Sequence, residues 1–219
     1  MESPHIKSLQ ESLSQLVPLD MAHLELGRQM FEAFSGALYG MDLLAAGTLN
    51  RSKAHMAGFR QLVAAKNLIC AGALFRLRLD TALRFHAALL VEKPHDFALA
   101  VLGGKRVRDL KDRDGEKMTD AYLVKKLGQE YDWVSRVYEQ TSGYVHLSNT
   151  HLMSAMGPTE GSSESDGSLT IKIAAADKPL PSWIYIEAID AFRAATRIIL
   201  RYVHGWVVTK ANPELVQSW

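Results

Sequence analysis

Apolar residues recur every three or four positions along most of this chain, the spacing of helices that turn one face to a core. Ser3 followed by Pro4 predicts a first helix that runs to about Leu16 and is stopped by Val17-Pro18. Asp20 caps a second, Met21 to Ala46, carried by Leu24, Met30, Phe31, Phe34, Leu38, Leu43 and Leu44 and ended by Gly47. Asn50 or Ser52 opens a third, with Met56, Phe59, Leu62 and Val63 on one side. Leu68 to Val91 is apolar on nearly every side and reads as the central, buried helix. Asn67 marks a kink or break before it, or the two helices run on as one; Pro94 closes it. Thr119 caps a helix over 120–128, another covers about 130–142, and Pro181-Ser182 opens a last long one from Trp183 to about Lys210.

The helical spacing fails between these last two. Residues 157–167, GPTEGSSESDG, are turn-rich and predict a mobile loop. Ser168 to Ala174 alternates, with Leu169, Ile171 and Ile173 on one face, as a strand does. A strand needs a partner for its backbone, and the nearest is Thr150 to Met156. The expectation is an all-α bundle of about six or seven helices with one small β-hairpin insertion near 149–175, in a single domain over 1–219.

Composition adds exclusions. Hydrophobic residues make up 47% of the 219, enough for a sizeable core, and the formal net charge is +1. That balance gives no general pull towards nucleic acid or anionic membrane. Residues 105–126 carry a local excess of basic side chains mixed with acidic ones, which reads as a solvated loop. The single cysteine, Cys70, falls in the apolar helix and excludes an internal disulfide framework. The first residues lack an apolar leader, and no apolar run reaches the ~18 residues of a membrane span, so a cytoplasmic, non-membrane protein is expected. Phosphate-loop, serine-elbow and zinc-protease motifs are absent, and Glu92 and His95 are separated by a helix-breaking proline. No cofactor and no metal are expected.

Two groups of residues could carry chemistry. On the central helix Arg76, Asp80 and Arg84 lie four apart, within an arc of ~80°. Arg78 falls off that stripe. The stripe is either a ladder that locks helix packing or an anion-facing site, since two guanidiniums steadied by one carboxylate can present donors to a phosphate. Its expected partner is Tyr138 to His151. There Tyr144, His146, Ser148 and Asn149 cluster where a helix should give way to the hairpin. His146 is the candidate acid or base, with Arg76 and Arg84 beside it; Asp80, Tyr144, Ser148 and Asn149 are candidate binding residues.

The runs RLRLDTALRFHA and LKDRDGEKMTD and the YVHLS element resemble a group of uncharacterised bacterial helical proteins akin to the HEPN superfamily, over roughly residues 40–205. The resemblance implies a helical bundle and, since some relatives accompany toxin or phage-defence systems, a metal-independent ribonuclease with RNA as substrate. Active HEPN ribonucleases carry an arginine and a histidine on one helix with four to six residues between them. Arg197 and His204 have that spacing, but so would a chance pair in a chain with this many of both. The competing expectation is a non-catalytic interaction module with a partner protein, or a homodimer joined through the helices before residue 66. An open pocket onto Arg76, Arg84 and His146 would favour the enzyme, and an exposed apolar face the module.

Overall fold

The computed structural model describes residues 8–158, 169–171 and 173–214. Ser8 caps α1 (Leu9–Ser14) through a reciprocal box with Glu11. The helix start expected at Ser3 lies outside the described residues. α2 (Val17–Glu32) begins where a stop was expected, because Pro18 in its first turn lacks only an N–H that the helix does not use.

The second expected helix is broken elsewhere than at Gly47. A short 3-10 turn, Ala33–Gly36, separates α2 from α3 (Gly40–Ala64), which runs straight through Gly47. Phe34, Ser35 and Gly36 all take left-handed backbone, with φ of 52°, 54° and 77°. That conformation costs a non-glycine residue roughly 1–2 kcal/mol. A tight turn with Lys66 at φ 56° leads into α4 (Leu68–Ala87), capped by Asn67. Cys70 is in its first turn and exposed, not in the apolar interior. α4 ends seven residues before Pro94, which starts α5 (Pro94–Leu102) rather than closing α4. α6 (Asp120–Glu130) is capped by Thr119, and α7 (Trp133–Ser142) follows.

The hairpin expected over 149–175 does not form with the strands expected. Its first strand is instead α8 (Asn149–Ala155). Among the described residues of this stretch, Met156–Pro158 (β1) pairs with Leu169–Ile171 (β2) in three antiparallel pairs. Gly157 and Pro158, expected in the mobile loop, stand in β1; residues 159–167 lie outside the described residues. α9 (Ser182–Ala211) closes the chain. The fold is all-α, with more helices than the six or seven expected, since no helix was expected over α5 and a strand was expected where α8 lies.

α4 is central, as expected, packed by α3, α9, α6 and α7. One part of the core gathers Phe59, Phe75, Leu79, Ile189 and Phe192, with the Phe59 and Phe192 rings stacked 3.9 Å apart. The other gathers Leu26, Met30, Met41, Leu83, Phe85, Met118, Ile199 and Val203. A buried ion pair ties the ends of three helices together. Lys210 Nζ donates to Asp42 Oδ2 at 3.0 Å and to the Met30 carbonyl at 2.7 Å, and Trp206 Nε1 donates to Asp42 Oδ1 at 2.8 Å. Both charged side chains are fully shielded from water.

Candidate functional site

The Arg76–Asp80–Arg84 stripe faces α6 and α7, and it is half-buried rather than sealed in the core. Arg84 and Asp80 keep 29% and 26% of their side-chain surface exposed. The reason is visible on the helix. Ala71, Phe75, Arg78, Ala82 and Phe85 alternate by four and three along the innermost face, and the stripe falls on the other side.

Each member is engaged. Arg76 donates to the Tyr138 carbonyl at 2.8 Å, and its Cζ lies over the Tyr138 ring, 3.2 Å from the centroid. Arg84 Nε donates to Asp80 at 3.1 Å, and Nη2 donates to Asp120 at the start of α6. Burial works against the Arg84 charge, but Asp80 and Asp120 outweigh it and hold its pKa above the ordinary value. Arg51 of α3 approaches Asp80 at 3.7 Å.

Tyr138 to His151 does dock on α4, but along its length. The Tyr144 ring lies over Gly72, where an added Cβ would meet ring carbon Cγ at 2.5 Å, so only glycine admits it. Burial, with the Asp177 carboxylate nearby, raises the Tyr144 pKa. Gly72 and Arg84 are twelve residues apart, ~18 Å along the helix axis. His146 follows Tyr144 at the Gly72 end and is exposed. Arg84 and His146 are therefore not brought together. Ser148 Oγ donates to the Gly143 carbonyl at 2.7 Å, which ties the end of α7 to the start of α8, and Asn149 is exposed in the first turn of α8. The recess beside this segment, about 250 Å³, is lined instead by Asn67, His151, Ala174, Asp177 and Lys178. Asp177 accepts from the Leu68 backbone N–H at 2.8 Å and from Tyr185 Oη at 2.7 Å, so its carboxylate is spent on capping α4.

The fully buried arginine of α4 is the one off the stripe. Arg78 has no exposed surface and no carboxylate within ion-pair distance among the described residues. Nη1 donates to Ser52 Oγ and Nη2 to the Ser52 carbonyl, each at 2.5 Å, and the guanidinium lies 4.2 Å from the Phe192 ring centroid. Burial pulls its pKa down to about 9.

His23 of α2 completes this cluster. Its Nδ1 donates to the Leu19 carbonyl at 2.6 Å, which leaves Nε2 to accept from Ser52 Oγ at 2.6 Å. Burial holds the His23 pKa down at about 4. The serine–histidine separation is that of a nucleophile and its base. Ser52 and His23 are both shielded from solvent, so the contact joins α2, α3 and α4 instead. The sequence reading passed over Arg78 and His23. The available signal was that Arg78 stands three residues after Phe75 and four before Ala82, inside the apolar stripe.

A second buried histidine, His86, lies 3.4 Å from Glu130 and stacks on the Tyr202 ring, whose hydroxyl donates to Glu130 at 2.9 Å. Among the described residues no three acidic, histidine or cysteine side chains gather as metal ligands would, and no helix is long and apolar enough to cross a membrane. No known protein family, curated protein or solved structure matches the chain.

Proposed function

We propose that this chain is a non-catalytic helical interaction module that works as a homodimer through the outward face of α2 and the turn after it. One observation carries the reading: α2 bears exposed apolar side chains opposite its core face, with Arg28, paired to Glu25 and Glu32, the one charged residue in their arc. His23, Leu26 and Met30 face the core. Val17, Met21, Leu24 and Phe31 lie within ~80° of one another on the far side, and all four are exposed. Phe34, Leu38 and Leu43 extend the exposed set into the turn and the start of α3.

Half-exposed side chains of this size present roughly 600 Å² of apolar surface together, the upper range for a monomer's largest patch and close to the ~800 Å² each partner gives a standard interface. A second copy offers the same surface about a two-fold axis, which is how most soluble proteins pair. The ribonuclease reading of the HEPN-like resemblance draws less support. It asks for His146 beside Arg76 or Arg84, and those arginines are committed to Tyr138, Asp80 and Asp120.

Light scattering on a sizing column, across micromolar concentrations, tests the proposal. The native chain should run as a dimer, and Met21→Glu with Leu24→Glu as a monomer of unchanged helix content. A native monomer throughout would overturn the reading. RNA cleavage by the purified chain that is lost in His146→Ala would restore the enzyme.

A further inference from the structure

We infer that the fold carries an acid release: proton uptake at His23 swings α1 and α2 off the body of the bundle, hinged on the turn at Ala33–Gly36. The inference goes beyond the dimer reading and stands without it.

The contact that seats α2 has room for one cation. His23 Nδ1 faces the Leu19 carbonyl, which can only accept, so Nδ1 carries the proton of the neutral ring. Nε2 is then an acceptor, and the Ser52 hydroxyl donates to it at 2.6 Å. The same Ser52 oxygen accepts from Arg78 Nη1 at 2.5 Å. The hydrogen bonds thus run one way, from Arg78 through Ser52 and His23 to Leu19. A second proton on the imidazole meets this chain head on. It sets an imidazolium against an oxygen that already holds a guanidinium, in a site shielded from solvent.

The surrounding charges do not relieve the conflict. Burial above all, then Arg78 of α4 and Lys53 of α3, oppose a positive His23, while Asp20 of its own helix favours it. Asp20 is bonded to Lys53 at 2.8 Å, so its charge is already matched. From α9, Arg193 bonds to Gln15 and Asp190, and Lys210 bonds to Met30 and Asp42. Both are further cations. His55 of α3 faces the Arg78 and Arg51 charges and stays with the body.

α2 is also the element that can leave. It buries three side chains, His23, Leu26 and Met30, and its far side is exposed. One of the three is the histidine, so charging it removes much of what seats the helix. α1 follows, because only Gln15 and Leu16 separate the two helices. The turn behind α2 holds Phe34 and Ser35 in left-handed backbone, a strain that opening relaxes. A segment with few buried apolar contacts opens before the core does.

Hydrogen exchange of the native chain, read amide by amide and corrected for the intrinsic rate at each pH, tests this. At pH 7 the α2 amides from Leu26 to Glu32 should exchange faster than those of Leu79 and Leu83 in α4. The opening equilibrium of α2 should rise about twentyfold from pH 7 to pH 5, given a His23 pKa of about 4 when seated and 6.5 when released. His23→Met should abolish the rise. A common rate for the α2 and α4 amides would overturn the inference, as would a rise that persists in His23→Met.

NMR titration of the imidazoles needs no variant. The ring with a nuclear Overhauser contact to Ser52 should stay neutral through pH 5 while α2 is seated. If it titrates near 6.5 with the α2 amides still protected, the site accepts a second cation and the inference falls. Neither failure touches the dimer, which the mass on the sizing column decides.

Discussion

Lys210 and Arg78 are both cations sealed inside the bundle, and the protein holds them in opposite ways. Lys210 faces a carboxylate, Asp42, which is itself sealed and receives further hydrogen bonds from Trp206 and from the Tyr39 backbone. Arg78 faces only neutral acceptors on Ser52 and an aromatic ring. A sealed ion pair is costly to break, because removing one partner strands the other in a medium that cannot solvate it. A sealed cation with neutral acceptors strands nothing charged when it is removed. The two sites thus differ in fragility although their burial is the same.

The largest expected effect is at the pair. Asp42→Ala leaves Lys210 buried without its counter-charge and should cost ~3–5 kcal/mol, read as a lower midpoint in urea. A loss under about 1 kcal/mol would mean that water reaches Lys210, and would break the comparison.

Acid should expose the weakness of the Arg78 site next. His23 stays neutral in the fold because burial depresses its pKa to about 4, against 6.5 for an ordinary histidine. As pH falls below 6.5 the unfolded chain takes up a proton that the folded chain refuses, so stability falls with pH until about 4. The loss attributable to His23 at pH 5 is about 2 kcal/mol. Urea midpoints measured from pH 7 to pH 5 check this, and His23→Met should flatten the slope.

Arg78→Met follows, with an expected change within ~1.5 kcal/mol of either sign, since a similar volume replaces a charge that has no partner charge to strand. A loss as large as that of Asp42→Ala would show that the Ser52 contacts hold α3 and α4 together more strongly than packing does. The smallest effect is on the half-exposed stripe. Asp80→Ala should cost ~1 kcal/mol or less, because Arg84 keeps Asp120 and water reaches both. A protein that fails to fold after this change would place the stripe with the sealed pair.

Local pattern was enough to read an all-α bundle, a central helix from Leu68 onward and a late helix started by Thr119. Each of these rests on local information, a 3.6-residue period or a capping side chain one turn from its backbone partner. Tertiary structure decided what periodicity leaves open. Thr150 to Met156 is short and could be either element; it is mostly helix, with Ser148 just before it bonded to the end of α7. The break after α2 falls at three left-handed residues, two of them, Phe34 and Ser35, without glycine's freedom. The choice of which arginine of α4 is sealed depended on α3 and α9 arriving on one side and α6 and α7 on the other. Burial is a property of what surrounds a helix, and no helix contains that information alone.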